Sequence, residues 1–467
     1  MNRNLQRSLL ALAIGGTITQ SAIAADAKNI IFFLGDGMGP ATITASRIYK
    51  YGEDGSLNMD KLERTARIKT FSNDAQTTDS APSMAAYMTG VKMNNEVISM
   101  SSETVATEPG KDANGNLGIN NCAAANGKAV STILELAKAK GKAVGSITTT
   151  ELTHATPAAT FSHICNRNAQ YAIAAQVVPG GAGYNSALMD GVDVLMGGGR
   201  NHFTPFSSTN TKGRADGRDL LAEMAAKGYT VAATKADMQA APLTKKFIGL
   251  YSTTSHLQYE LDRTATPPLG EGANQPSLAE MTVKAMDILG QNANGYFLMV
   301  EGGRIDHALH ATNAKRALVD TIAFDDAIKA ALDKARTTDP TLANTLIVVT
   351  ADHDHTLAIN GYSKRGNPIL DITRDYKTGQ PGKDADGNTY STLVFGNGPN
   401  RPNVRTNLDS AVVQGNDYLQ ETGVKLSSET HGGGDVKLFA TGAGAKTFKG
   451  TLDNTKVFTL LKNAFGF

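Results

Sequence analysis

Short, largely apolar runs recur along the chain at 29–34, 143–148, 192–196, 296–300, 346–350 and 436–440. Runs of this length read as strands covered on both faces, because a helix needs a longer stretch to bury one side. Between several of them apolar residues return every three or four positions, over Ser131–Ala139, Leu220–Ala226, Ser277–Leu289 and Ala314–Ala335. That is the spacing of a helix with one buried face. Pro276-Ser277 followed by Glu280 marks a helix start, since serine and glutamate three apart cap each other's backbone groups. Strands alternating with helices predict an α/β fold, a large, mostly parallel central sheet with helices on both faces.

The alternation stops at 362–428, which is rich in Gly, Asn, Asp and Pro and reads as a loop-rich surface subdomain inserted into the sheet architecture. Two near-identical pieces, Lys111–Asn116 and Lys383–Asn388, have the acidic, glycine-containing look of a calcium loop. The required glycine is displaced, and Ala123 or Phe395 stands where a bidentate glutamate belongs, so plain hairpin turns are expected. Gly197-Gly198-Gly199-Arg200 lacks the Gly-Lys-Ser/Thr of a nucleotide loop and reads as a tight turn.

The first 24 residues read as an export signal: Arg3 and Arg7 precede the apolar stretch Leu9–Ile14, and Ala22-Ile23-Ala24 offers a small-residue cleavage site. This predicts an exported protein, periplasmic in a Gram-negative source and secreted otherwise. No later stretch has the roughly 18 apolar residues of a membrane span, and no cysteine at the cleavage site could carry a lipid. Removing 1–24 changes the formal net charge only from +1 to −1, which gives no electrostatic case for nucleic acid or anionic membranes. Cys122 and Cys165 are the only cysteines; one disulfide or two buried thiols both remain open.

In open parallel sheets ligands gather at the carboxyl ends of strands. Asp36, Thr156, Glu301 and Asp352 fall at four such ends, and two of those ends continue into close Asp/His pairs. One is Asp306-His307-Ala308-Leu309-His310, the other Asp352-His353-Asp354-His355. Mixed carboxylate and imidazole suits Zn²⁺ better than the all-oxygen shells of Ca²⁺ or Mg²⁺. His431, in Thr430-His431-Gly432-Gly433-Gly434, precedes its strand and must reach the same edge from a glycine-rich loop.

Asp36-Gly37-Met38, Thr78-Asp79-Ser80-Ala81, His154-Ala155-Thr156-Pro157, Val300–His307, Val349–His353 and Thr430–Gly433 follow in that order over about 400 residues. Together they resemble the alkaline phosphatase family, over nearly the whole mature chain. The resemblance implies one catalytic domain over 25–467 and a first zinc on Asp306, His310 and His431. It implies a second zinc on Asp36, Asp352 and His353, and a third ion, usually Mg²⁺, on Asp36, Thr156 and Glu301. Ser80 would be the nucleophile, Arg167 would grip phosphate and Asp79 would orient Arg167. Small phosphate monoesters and a homodimer, with 362–428 a candidate contact, are further implications.

His154 and His307 depart from many bacterial members, which carry Asp and Lys there, and agree with animal ones. These imidazoles could direct the third site toward Zn²⁺ or Co²⁺, or alter water-mediated phosphate contacts. The carboxylates that hold a structural Ca²⁺ in animal members are missing around Tyr251-Ser252 and Gln275-Pro276, so no such site is expected. Asp354 and His355 are expected beside the ligands, and His163, His202 and His256 belong to no motif. Three rival readings compete. Ser80-Ala81-Pro82 begins a sulfatase pattern, but Met84 stands where its arginine belongs; a related phosphodiesterase would more often use threonine; a zinc- or phosphate-binding protein would have no use for Ser80.

Overall fold

The computed structural model describes residues 26–467; the expected export signal lies outside them. Ten strands form the central sheet: β1 (Asn29–Gly35), β2 (Arg64–Lys69), β3 (Ala143–Glu151), β4 (Val194–Gly198), β5 (Thr230–Ala232), β6 (Phe247–Leu250), β7 (Tyr296–Gly302), β8 (Thr345–Thr350), β9 (Val436–Gly442) and β10 (Gly450–Asp453). Their order across the sheet is β10-β2-β9-β8-β1-β7-β3-β4-β6-β5, with helices packed around it. The six strands expected from apolar runs are all present. At the centre, Ile30 to Leu34 of β1 are wholly buried, as a strand covered on both faces requires.

The other four strands carry weak apolar signals. In β2 only Ala66 and Ile68 face inward between polar and charged neighbours, and β5, β6 and β10 are three or four residues long. All pairings are parallel except those of β9, which runs antiparallel to β8 and to β2. This reversal answers the question His431 posed. The amino end of β9 lies at the edge where the other strands have their carboxyl ends, so a residue just before β9 arrives at the same place.

The helices Ile133–Ala139, Leu220–Ala226, Leu278–Leu289 and Ala314–Arg336 occupy the amphipathic stretches. Ser277 and Glu280 form the expected capping box. Within 362–428, strand Leu393–Gly398 pairs with Leu357–Ile359 on one side and Thr422–Lys425 on the other. Both calcium-like pieces are hairpin turns. Asp112 Oδ1 accepts from the N–H of Asn114 and Asn116, each at 2.8 Å. Asp384 Oδ1 accepts in the same way from Asp386 and Asn388.

Cys122 and Cys165 are joined by a disulfide, with Cα atoms 5.8 Å apart. The bond ties the surface segment around Cys122 to the loop that carries Arg167. Closing 43 residues of separation restricts the unfolded chain, so the double serine variant is expected to lose up to ~4 kcal/mol of stability. The denaturant midpoint with and without reductant checks this; equal midpoints would refute it.

Candidate metal centre

β8, β1, β7 and β3 are neighbours, and their carboxyl ends bring the acidic residues together. Asp36 follows β1, Glu301 is the sixth residue of β7 opposite Leu34, and Asp352 lies just past β8. Helix Ala155–Phe161 follows β3 and supplies Thr156. Helix Arg304–His310 starts directly after β7 and sets Asp306 and His310 four apart on one face. His431 reaches in from a two-residue strand paired with Asp354–His355. Ser80 is buried and opens helix Ser80–Thr89, all of whose residues are buried.

Among the described residues, ligand-capable atoms cluster in three groups, each within 4.8 Å: Asp306-His310-His355-His431, Asp36-Asp306-His353 and Asp36-His154-Glu301. Hydrogen bonds decide what each imidazole can offer. His310 Nδ1 donates to the Glu429 carbonyl at 2.6 Å and His431 Nδ1 to the Thr78 carbonyl at 2.8 Å. In the neutral rings both Nε2 lone pairs then face each other at 3.1 Å, with Asp306 Oδ1 at 3.3 and 3.7 Å. Three acceptors with no proton between them suit a cation. His355 is different. Its Nε2 meets Asp306 Oδ1 at 2.7 Å and its Nδ1 meets Glu429 Oε2 at 2.5 Å, so carboxylates face both nitrogens and no lone pair is left for a metal. Burial opposes its protonation, but those two carboxylates outweigh it and push its pKa up to about 9.

His353 Nε2 lies 3.2 Å from Asp36 Oδ1 and 3.1 Å from Ser80 Oγ, while its Nδ1 is 3.2 Å from the Asp354 carbonyl. Asp36 Oδ1 is 3.4 Å from Ser80 Oγ, and its Oδ2 accepts from Thr156 Oγ1 at 3.4 Å. Asp352 Oδ1 accepts from the Gly37 N–H at 3.0 Å; its Oδ2, 3.6 Å from His353 Nε2, is buried without a hydrogen-bond partner. Glu301 Oε1 and His154 Nδ1 are orphaned in the same way, while Thr150 donates to Glu301 Oε2 at 3.2 Å. Burial, then the charge of Asp36, pushes Glu301 and Asp352 well above the usual carboxylate range. Burial acts the same way on Asp306, but His310, His355 and His431 hold it well below that range. Buried carboxylates, orphaned oxygens and aligned lone pairs fit cations.

Arg167 stands beside this cluster. Its Nη1 is ion-paired with Asp79, and its Nη2 donates to His154 Nε2 at 3.0 Å. Glu96, in the left-handed region at φ 68°, holds both partners by its backbone: its N–H donates to Asp79 Oδ2 at 2.7 Å and its carbonyl accepts from the Arg167 N–H at 2.8 Å. No motif pointed to Glu96. His163, between Ser99 and Glu135, and His202, on Thr153, serve buried packing away from the cluster. His256 does not: its ring lies against His154 and His307, at centroid separations of 5.4 and 4.2 Å. It comes from the loop after β6, and nothing local in the sequence marks it.

Residues 27–467 match the family model for alkaline phosphatase. The chain belongs to the alkaline phosphatase family. It is 36% identical to the alkaline phosphatase of Gadus morhua over 91% of this chain and 88% of that one. To the tissue-nonspecific isozyme of Homo sapiens it is 34% identical over 92% and 82%. The fold is that of alkaline phosphatase from Thermus thermophilus, with a TM-score of 0.67 at 24% identity over 98% of this chain and 96% of that one. The enzyme from a psychrophilic Shewanella aligns with a TM-score of 0.64 at 25% identity, over 94% and 99%. This alkaline phosphatase is thus a phosphoric monoester hydrolase, with clusters of Asp, Glu and His suited to the metal dependence of its family.

Proposed function

We propose that this alkaline phosphatase is exported and hydrolyses small phosphate monoesters through a phosphoserine at Ser80, with two zinc ions and a third ion of the Mg²⁺ type. The observation that carries the reading is the set of facing Nε2 lone pairs and orphaned carboxylate oxygens around Ser80. Asp306, His310 and His431 would hold one zinc, Asp36, Asp352 and His353 the other, and Asp36, Thr156 and Glu301 the third ion. When bound, these ions supply Lewis-acid stabilisation of phosphoryl charge and favour ionised oxygen near neutral pH.

The chain's own residues do the rest. Ser80 Oγ, at the positive end of its helix, attacks phosphorus in line; its bond to phosphorus forms as the bond to the alcohol oxygen breaks. Asp36 Oδ1 and His353 Nε2 lie beside Ser80 Oγ, so the ion they would hold favours its ionised form, and Arg167, braced by Asp79, presents its planar fork to two phosphate oxygens. Water entering from the side the alcohol vacated cleaves the phosphoserine, releases inorganic phosphate and returns the serine. Two in-line steps give retention at phosphorus.

Among the described residues no helix is long and apolar enough to cross a membrane. The exposed Tyr362, Val404 and Val424 of the insertion favour it as the contact of a homodimer. Metal analysis of the purified protein, with monoester hydrolysis measured before and after chelation, tests the reading. About two zincs and one magnesium per chain are expected, with activity lost on chelation and restored by both metals, and a monoester cleaved far faster than its diester. Full activity in metal-free protein would refute it.

A further inference from the structure

The glycine run after β4 and the unassigned His256 meet at one place. Between Ile147 and Glu151 the pairing of β3 with β4 slips, so that four residues of β3 span two of β4. This bulge turns the hydroxyl of Thr150 toward Glu301 and leaves the Glu151 N–H without a strand partner. His256 Nδ1 accepts that N–H at 3.0 Å. The loop carrying His256 is pinned on both sides, by Gly199 N–H to the Ser255 carbonyl and Leu257 N–H to the Thr149 carbonyl, each at 2.9 Å. A Cβ at Gly198 would collide with the Ser255 carbonyl, so the glycine is what lets this loop close on the sheet.

Three imidazoles then stand together. His154 packs edge-on against His256 and His307, and His256 lies tilted over His307. A cluster of three histidines suggests a metal site of its own, but the hydrogen bonds exclude it. Arg167 donates to His154 Nε2, the Glu151 N–H to His256 Nδ1, and Arg304 Nη1 to His307 Nδ1 at 2.8 Å. One nitrogen of each ring is therefore an acceptor already in use, and in the neutral ring the other carries the proton. His154 shares its pocket with Asp36 and Glu301, and its buried Nδ1 has no partner. As a proton-bearing nitrogen, Nδ1 can donate to water around an ion but cannot ligate one.

We propose that His256 is a positioning residue of the third-ion site: its ring braces His154 and His307 in these orientations, so that the ion is held by oxygen alone and Mg²⁺ is taken over Co²⁺ or Zn²⁺. This rests on the third-ion part of the proposed function. Without the His256 ring, His307 and His154 gain room to turn, and a turned His154 offers a lone pair to a softer metal.

The test is calorimetric titration of Mg²⁺ and of Co²⁺ into full-length protein stripped by chelator and reloaded with two equivalents of Zn²⁺. Wild type is compared with His256→Ala, His256→Asn and His256→Phe. Asparagine keeps an acceptor for the Glu151 N–H and loses the ring; phenylalanine keeps the ring and loses the acceptor. Alanine and asparagine are both expected to lower the Mg²⁺/Co²⁺ affinity ratio by about tenfold or more, and phenylalanine to stay near wild type. A wild-type ratio in the alanine variant overturns the proposal. So does restoration by asparagine, which would confine His256 to capping Glu151, or a phenylalanine variant that matches alanine. If wild type takes no third ion, the reading beneath falls with it, which the variants alone would not show.

Discussion

Replacing Ser80 with alanine is expected to lower phosphate monoester hydrolysis by about four orders of magnitude or more while leaving the metal content unchanged. The two halves of that expectation come from different parts of the geometry. Ser80 Oγ is 3.1 Å from His353 Nε2 and 3.4 Å from Asp36 Oδ1, close enough to share their cation. None of the three proposed ligand sets, however, includes that hydroxyl. Losing the hydroxyl therefore removes the group proposed to form the covalent bond and spares the groups proposed to hold the ions. Acid quenching with a radiolabelled monoester should trap phosphate on wild type and none on the variant. A variant that still traps label, or turns over near the wild-type rate, would sink the phosphoserine mechanism. The same variant separates enzyme from binder, since a protein that only held zinc or phosphate would lose nothing measurable.

How much of this could be read along the chain depends on whether a feature is local. β1, β7 and β8 are covered on both faces, so burial wrote itself into unbroken apolar runs, and the Asp and His residues at their ends followed from strand polarity. β2 has two inward residues among polar and charged ones, and its place in the sheet comes from β9 and β10 beside it. His431 looked misplaced because a sequence does not record strand direction; once β9 runs antiparallel, its amino end belongs at the site. The cysteine pair was undecided because pairing depends on a Cα separation, here 5.8 Å, that spacing along the chain does not fix. His355 sits two residues from His353 with the same composition around it, yet carboxylates on both of its nitrogens give it another role. His256 and Glu96 reach the site from loops without motifs, and only the fold brings them there.

Asp36→Asn should be the most damaging single change among the proposed metal-binding positions. Asp36 is the carboxylate shared by two of the proposed ligand sets, and its oxygens are divided between them: Oδ1 faces His353 and Ser80, and Oδ2 faces Thr156. Asparagine has the same shape, but it is neutral and turns one oxygen into an N–H donor aimed at acceptors. Two ions should be lost together, the metal content falling from about three per chain to about one, and activity by about 10³-fold or more. His431→Gln, which touches a single group, should release one ion. A second signature lies in the melting temperatures. In the metal-free protein burial and the charge of Asp306 oppose ionisation of Asp36, but the hydrogen bond and charge of His353 outweigh them and hold it below the usual carboxylate range. Its charge therefore stabilises the metal-free fold at neutral pH, so metal-free Asp36→Asn should melt below metal-free wild type, and the gap should widen once zinc and magnesium are added, because wild type gains more from binding them. Melting temperatures with and without metals decide it. If the gap is the same in both conditions, Asp36 is holding the fold together instead of holding cations within it.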